Sequence, residues 1–249
     1  MNGNKLTLAT LMSAAALIAQ GPPPGPPPGG FGFGFGPGPG GPPPATVTGA
    51  PYSGVETVQS QQTLSDGTQI ARSEQVKVYR DSQGRVRSEH TMTPPGGSPA
   101  QARTMISIID PVAGYETRLD TERSTAVKTA LPSARTGTRP APPAGAPTPE
   151  IQDLGVKTIN GLAVTGTRRT LIIPAGAIGN SQAIQSVHEV WVSQDLQVPL
   201  LVSSTDPRSG TSTMQLGSVV RAEPDASLFQ IPASYAVTTR ERPEHGPNP

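Results

Sequence analysis

The stretch VYRDSQGRVRSEH, residues 78–90, decides how the rest of the chain is read. Its middle, Asp81-Ser82-Gln83-Gly84, has the makings of a type I turn: an aspartate that can accept a backbone hydrogen bond at the first position, and a glycine that can turn without a Cβ clash at the last. On the return, GRVRSEHTM alternates. Val86, Ser88, His90 and Met92 fall on one side of an extended chain, and Arg85, Arg87, Glu89 and Thr91 on the other, which is the period of a half-buried strand. The stretch predicts a hairpin. Arg80, Arg85, Arg87 and nearby Lys77 have the charge to meet a phosphate or an anionic head group, but Asp81 and Glu89 interleave with them and no aromatic residue stands where it would stack on a base. They are read as the solvated face of an antiparallel sheet.

The same chemistry recurs outward. STMQLGSVVR (212–221) places Met214, Leu216, Ser218 and Val220 inward, with Thr213, Gln215, Gly217 and Arg221 outward; SVHEVWVS (186–193) surrounds Trp191 with β-branched residues. MISIID, LAVTGTRRTLII and VPLLVSST add runs rich in Ile, Val and Thr, and DPVAG (110–114), Asn160-Gly161 and DPRSG (206–210) punctuate them as turns. Hairpin follows hairpin with almost no helical period. The region 51–238 is therefore mainly β, an antiparallel meander that either packs as a sandwich, closes as a barrel or curves as an open sheet.

Thirty prolines and twenty-eight glycines in 249 residues are distributed unevenly. GPPPGPPPGGFGFGFGPGPGGPPP (21–44) has no regular apolar face to bury, so residues 20–50 are expected to form a disordered tether; its first glycines fall four apart, which excludes a collagen triple helix. Before it, MNGNKLTLATLMSAAALIAQG has a lone Lys5, an apolar run from about Leu6 to Ala19 and a break into Gly and Pro. That is the layout of a secretory signal peptide over 1–19, with an uncleaved membrane anchor as the alternative. The proline-rich segment at about 133–150 is expected to be a disordered loop, and 239–249 a loose tail.

Cysteine is absent, which removes disulfides, thiolate metal sites, a catalytic thiol and a lipid-bearing cysteine. A net charge of +1 gives no field for nucleic acid. The sequence has no GxSxG elbow, Walker loop, HExxH helix or GxGxxG after a strand, and nothing in it calls for a cofactor. Glu189 alternates with Val187 and Trp191 and so is a candidate buried carboxylate. Pairing with an arginine of a neighbouring strand accounts for it more simply than acid-base catalysis. No enzyme is read here.

Toward the C-terminus, Glu189, Trp191, Ser193, Asp195, Leu196, Asp206, Pro207, Leu216, Pro224, Asp225, Leu228, Phe229, Pro232 and Tyr235 form a recurring pattern: a Glu-x-Trp strand, a Ser-x-Asp-Leu turn, an Asp-Pro turn, then Pro-Asp-x-x-Leu-Phe and Pro-x-x-Tyr. With YRDSQGRVRSE, IIDPVAGYETRLD and DLGVKTINGLAVTGTR upstream, residues 51–238 resemble an uncharacterised family of secreted proteins of diderm bacteria. More loosely, they resemble the half-barrels of outer-membrane lipoprotein carriers and sigma-factor regulators. That resemblance implies a curved half-barrel or open barrel about an apolar cavity in an exported, periplasmic or envelope protein. The chain departs from the carriers in showing no amphipathic helix to lid the cavity. A half-closed sheet would place Val187, Trp191, Leu200, Val202, Met214 and Leu216 on its concave face, where they either meet a lipid or acylated ligand or serve simply as core. The function expected is a noncatalytic envelope protein that binds such a ligand; the alternative is a tethered module that binds an envelope protein and has no ligand cavity.

Overall fold

A computed structural model describes residues 46–93, 98, 101–132 and 147–241. The expected signal peptide and most of the expected tether and loop lie outside the described residues, as do residues 242–249. Twelve strands run in chain order: β1 (Tyr52–Thr63), β2 (Gln69–Arg80), β3 (Val86–Met92), β4 (Arg103–Asp110), β5 (Tyr115–Asp120), β6 (Thr125–Ala130), β7 (Glu150–Ile159), β8 (Leu162–Ile173), β9 (Ile184–Ser193), β10 (Val198–Asp206), β11 (Gly210–Val220) and β12 (Ala236–Arg240). They form one open sheet in the order β12-β6-β5-β4-β3-β2-β1-β11-β10-β9-β8-β7. Every pair is antiparallel except β12 with β6. Two meanders, β1–β6 and β7–β11, are thus joined where β1 pairs with β11.

The turns form for the reasons legible in their residues. Asp81 Oδ1 accepts the backbone N–H groups of Gln83 and Arg85, Asp110 Oδ1 those of Val112 and Ala113, and Asp206 Oδ1 that of Arg208. Asn160 and Gly161 both adopt positive φ, 51° and 77°, the pair of left-handed residues that a two-residue hairpin between β7 and β8 needs.

A flat single sheet would leave both its faces wet, yet Val164, Leu200 and Leu216 are fully buried. The sheet achieves this by curling. Asn160, in the turn after β7, donates to the carbonyl of Leu216 on β11 at 2.9 Å, although three strands separate β7 from β11 in the sheet. Arg80 at the end of β2 reaches the carbonyl of Leu196, in the turn after β9, at 2.5 Å. Inside this curl one core gathers Tyr52, Val78, Leu162, Val164, Trp191, Leu196, Val198, Leu200 and Leu216.

A second core, Ile106, Ile108, Leu119, Ala126 and Phe229, lies on the other face of the same sheet. Register shows the change of face: Val78 on β2 belongs to the first core, whereas its neighbour Tyr79 opposes Arg87, which opposes Ile108. The C-terminal segment covers this face. Asp225 caps a single 3-10 turn, Ala226–Phe229, whose Phe229 is buried, and the chain then adds β12 beside β6. Full burial of a Phe side chain stabilises by roughly 1.5–3 kcal/mol, enough to hold so short a turn in place.

Two expectations are corrected. Arg80 and Arg87 are not on a solvated face: both are buried, because the segment before β1 and the C-terminal segment pack over them. Arg80 donates to the carbonyls of Ala50 and Leu196, Arg87 donates to that of Leu228, and Arg85 lies 5.0 Å over the Phe229 ring. Val220 does not point inward. It is 56% exposed, because Ser218 takes a φ of 50° and the β1–β11 register slips between Ser53 and Val55, which breaks the alternation of β11.

Candidate functional site

The apolar residues expected on a concave face divide into three groups. Trp191, Leu200 and Leu216 meet in the core inside the curl. Val202 and Met214 are buried cross-strand partners that stand apart from that cluster. Val187 is half-buried and opposes Thr205 and Thr170. A register slip lies between Pro199 and Leu201: Pro199 opposes Val192 and Leu201 opposes Trp191, so neighbouring residues of β9 meet residues that share one face of β10. Glu189 is half-buried and accepts a 2.6 Å hydrogen bond from Arg168 Nε on β8, and Arg168 also reaches Gln152 on β7. That is an ion pair between neighbouring strands.

The group that sequence reasoning missed is Glu56. It is 2% exposed, opposes Leu216 on one side and Val76 on the other, and its Oε1 has no hydrogen-bond partner. Gly54, two residues earlier, is so tightly covered that a Cβ there would stand 2.9 Å from Leu216 Cδ1. Loss of solvation in this apolar setting pushes the Glu56 carboxyl up to about 7. The signal was present in YSGVETV, where a period of two puts Glu56 on the same face as Tyr52. Burial also raises the Tyr52 phenol, against the pull of Arg80, whose guanidinium lies 4.9 Å over the Tyr52 ring. A neutral carboxylic acid among Tyr52, Leu216 and Val76 can exchange a hydrogen bond with a polar group brought to it. Among the described residues, no group of three or more His, Asp or Glu side chains could hold a metal ion.

Two concavities at the surface are of another character. One of about 430 Å³ lies over β1, β2 and β11 between Gln59, Gln61, Ser73 and Thr211. The other, about 720 Å³, is a wedge between β2 and β3, walled by Arg72, Glu74, Lys77, Glu89 and His90. Both are lined mainly by polar side chains, with Ala71 in the first and Val55 and Met92 in the second. Among the described residues no helix is long and apolar enough to cross a membrane.

No protein-family model matches the chain, and no curated protein does. Among solved structures it is similar to an uncharacterized conserved protein from Thermus thermophilus, at 11% identity and a TM-score of 0.43, over 77% of this chain and 91% of that one. It is also similar to MucB of Pseudomonas aeruginosa in its complex with MucA, at 12% identity and a TM-score of 0.42 over 77% of this chain; the likeness covers 59% of the solved chain. A LolA superfamily protein from Nitrosomonas europaea matches at 10% identity with a TM-score of 0.33, over 73% of this chain and 90% of that one.

Proposed function

We propose that this chain is a noncatalytic protein of the cell envelope that acts by binding another polypeptide, its sheet serving as an interaction module rather than as a lipid vessel. The observation that carries the reading is the filling of the curl: Leu200, Leu216 and Val164 are fully buried against the protein's own side chains, while the two concavities described above are lined mainly by polar side chains. An acyl chain needs an apolar channel, and hydrophilic grooves favour partners that bring hydrogen bonds. The signal-like residues 1–19 and the Pro-Gly run behind them support export and a tethered placement.

A second reading is favoured by one observation, the unpartnered Oε1 of Glu56 inside an apolar face. In it an acylated ligand displaces part of the core around Trp191, Leu200 and Leu216, with Val187, Val202 and Met214 beside its path, and its polar end meets Glu56. A native mass spectrum of protein purified from its own envelope separates the two. The interaction reading expects the bare chain mass or a protein complex; a copurifying lipid would overturn it in favour of the second.

A further inference from the structure

β2 and β3 are paired only from Val76–His90 to Arg80–Val86. Beyond Val76 the two strands part: β2 continues from Gln75 back to Gln69 paired with β1, and β3 continues through Thr91 to Met92 paired with β4. Among the described residues, therefore, the side of Gln69–Gln75 that faces β3 has no ladder partner, and neither has the side of Thr91–Met92 that faces β2. The wedge between these two edges is the concavity of about 720 Å³.

We propose that this wedge is a docking site for an extended segment of another polypeptide, which adds as a strand to the free edge of β2. The inference rests on the interaction reading above and names the partner's form. Seven residues of free edge offer about 23 Å of strand, and backbone N–H and C=O groups at alternate residues are obligatory hydrogen-bonding groups that another backbone matches in spacing. The walls carry Arg72, Lys77, Glu74 and Glu89, with His90 Nε2 3.3 Å from Glu74 Oε2 at the base, so both signs of charge are present and the occupant is polar and mixed in charge. The chain's own undescribed segments fit poorly. Residues 21–44, 94–97 and 242–249 are interrupted by proline, which cannot donate to a ladder, the run 6–19 is too apolar for these walls, and the proline-free stretch of 133–146, residues 133–139, carries Arg135 and Arg139 but no acidic residue to meet Arg72 and Lys77. A strand from outside the chain is the occupant that remains.

The test uses the full chain and a display library of random peptides as long as the free edge. In the variant carrying both Gln75→Cys and Thr91→Cys, a disulfide joins the two positions that would pair next after Val76–His90, closing the wedge at its base. Selected peptides are expected to be poor in proline, to slow amide exchange in Gln69–Gln75, and to bind the oxidised variant at least about tenfold more weakly than the same molecule reduced. Amide methylation at alternate peptide residues should weaken binding by a similar factor, about tenfold for each lost backbone bond. Peptides that bind equally well with the wedge stapled, or that protect the β7 edge instead, overturn the wedge and leave the interaction reading standing. A library that yields no binder, together with a copurifying lipid, overturns both.

Discussion

The indole of Trp191 lies on the bare backbone of Gly166: a Cβ built at Gly166 would stand 2.5 Å from Cζ3 and 2.6 Å from Cε3 of the ring. Lys157 Nζ stands 3.5 Å from the centroid of the same ring. Gly166 thus makes room for a large aromatic in the filled core. Gly166→Ala is expected to force the ring outward and to destabilise the fold by about 1–3 kcal/mol, as overpacking of cores does. Trp191 is the chain's one tryptophan, so urea unfolding followed by its fluorescence reads both effects: a red-shifted native emission and a lower midpoint. An unchanged spectrum and midpoint would mean that the ring is not held against β8.

Glu56 makes stability depend on pH. Its carboxyl titrates near 7 in the fold and near 4.5 when unfolded, so between those values the native state holds the proton more tightly. Stability therefore falls as pH rises from about 4.5 to 7, by about 3 kcal/mol in all. Glu56→Gln keeps the shape and removes the titration. Urea midpoints from pH 4 to 8 should lose most of this slope in the variant, which should be the more stable protein at pH 8. A variant with the parent's slope would place the proton uptake elsewhere.

Alternation and turn chemistry made the mainly β fold legible, because the carboxylates of Asp81, Asp110 and Asp206 bond the backbone of their own turns and Asn160-Gly161 turns by its own positive φ values. Long-range placement was not legible. Nothing local in RVRSE says that Leu228, 141 residues from Arg87, will cover it, and so a buried arginine was read as a solvated one. The slip at Pro199–Leu201 likewise defeats a simple period of two, since it changes which residues of β9 share a face with β10. The period of two in YSGVETV puts Glu56 on the face of Tyr52, but that this face is buried depends on the curl, which no neighbour in sequence shows.

Arg80 joins three parts of the chain through one side chain. Its Nε and Nη2 donate to the Ala50 carbonyl at 3.0 and 2.6 Å, Nη2 also reaches the Leu196 carbonyl, and its face lies over Tyr52. A lysine ammonium could at best replace Nη2, and would lose the Nε bond to Ala50 and the planar face over Tyr52. Arg80→Lys is expected to cost about 1–2 kcal/mol, and Arg80→Met, which leaves both carbonyls without a charged donor, more than that. Thermal unfolding checks this, with Arg72→Lys as the exposed control that should change little.

Asp206 gives the opposite pH dependence to Glu56. Its Oδ2 accepts from Arg208 Nη2 and Ser186 Oγ, both at 2.7 Å, and Oδ1 accepts the Arg208 backbone N–H at 2.8 Å and Nε at 2.9 Å. These bonds, those from the Arg208 side chain foremost, hold its carboxyl well below the usual carboxylate range. A folded value below the unfolded one adds stability that is complete above about pH 4–5 and is lost as pH falls. Half of the Arg208 side chain is exposed, so the ion-pair part is screened and the hydrogen bonds to Ser186 and the turn backbone carry more of the effect. Asp206→Asn should therefore destabilise by about 1–2 kcal/mol at pH 7, with a gap to the parent that narrows below pH 4. A gap of constant size from pH 3 to 7 would assign the cost to a distorted β10–β11 turn instead of a lost carboxylate.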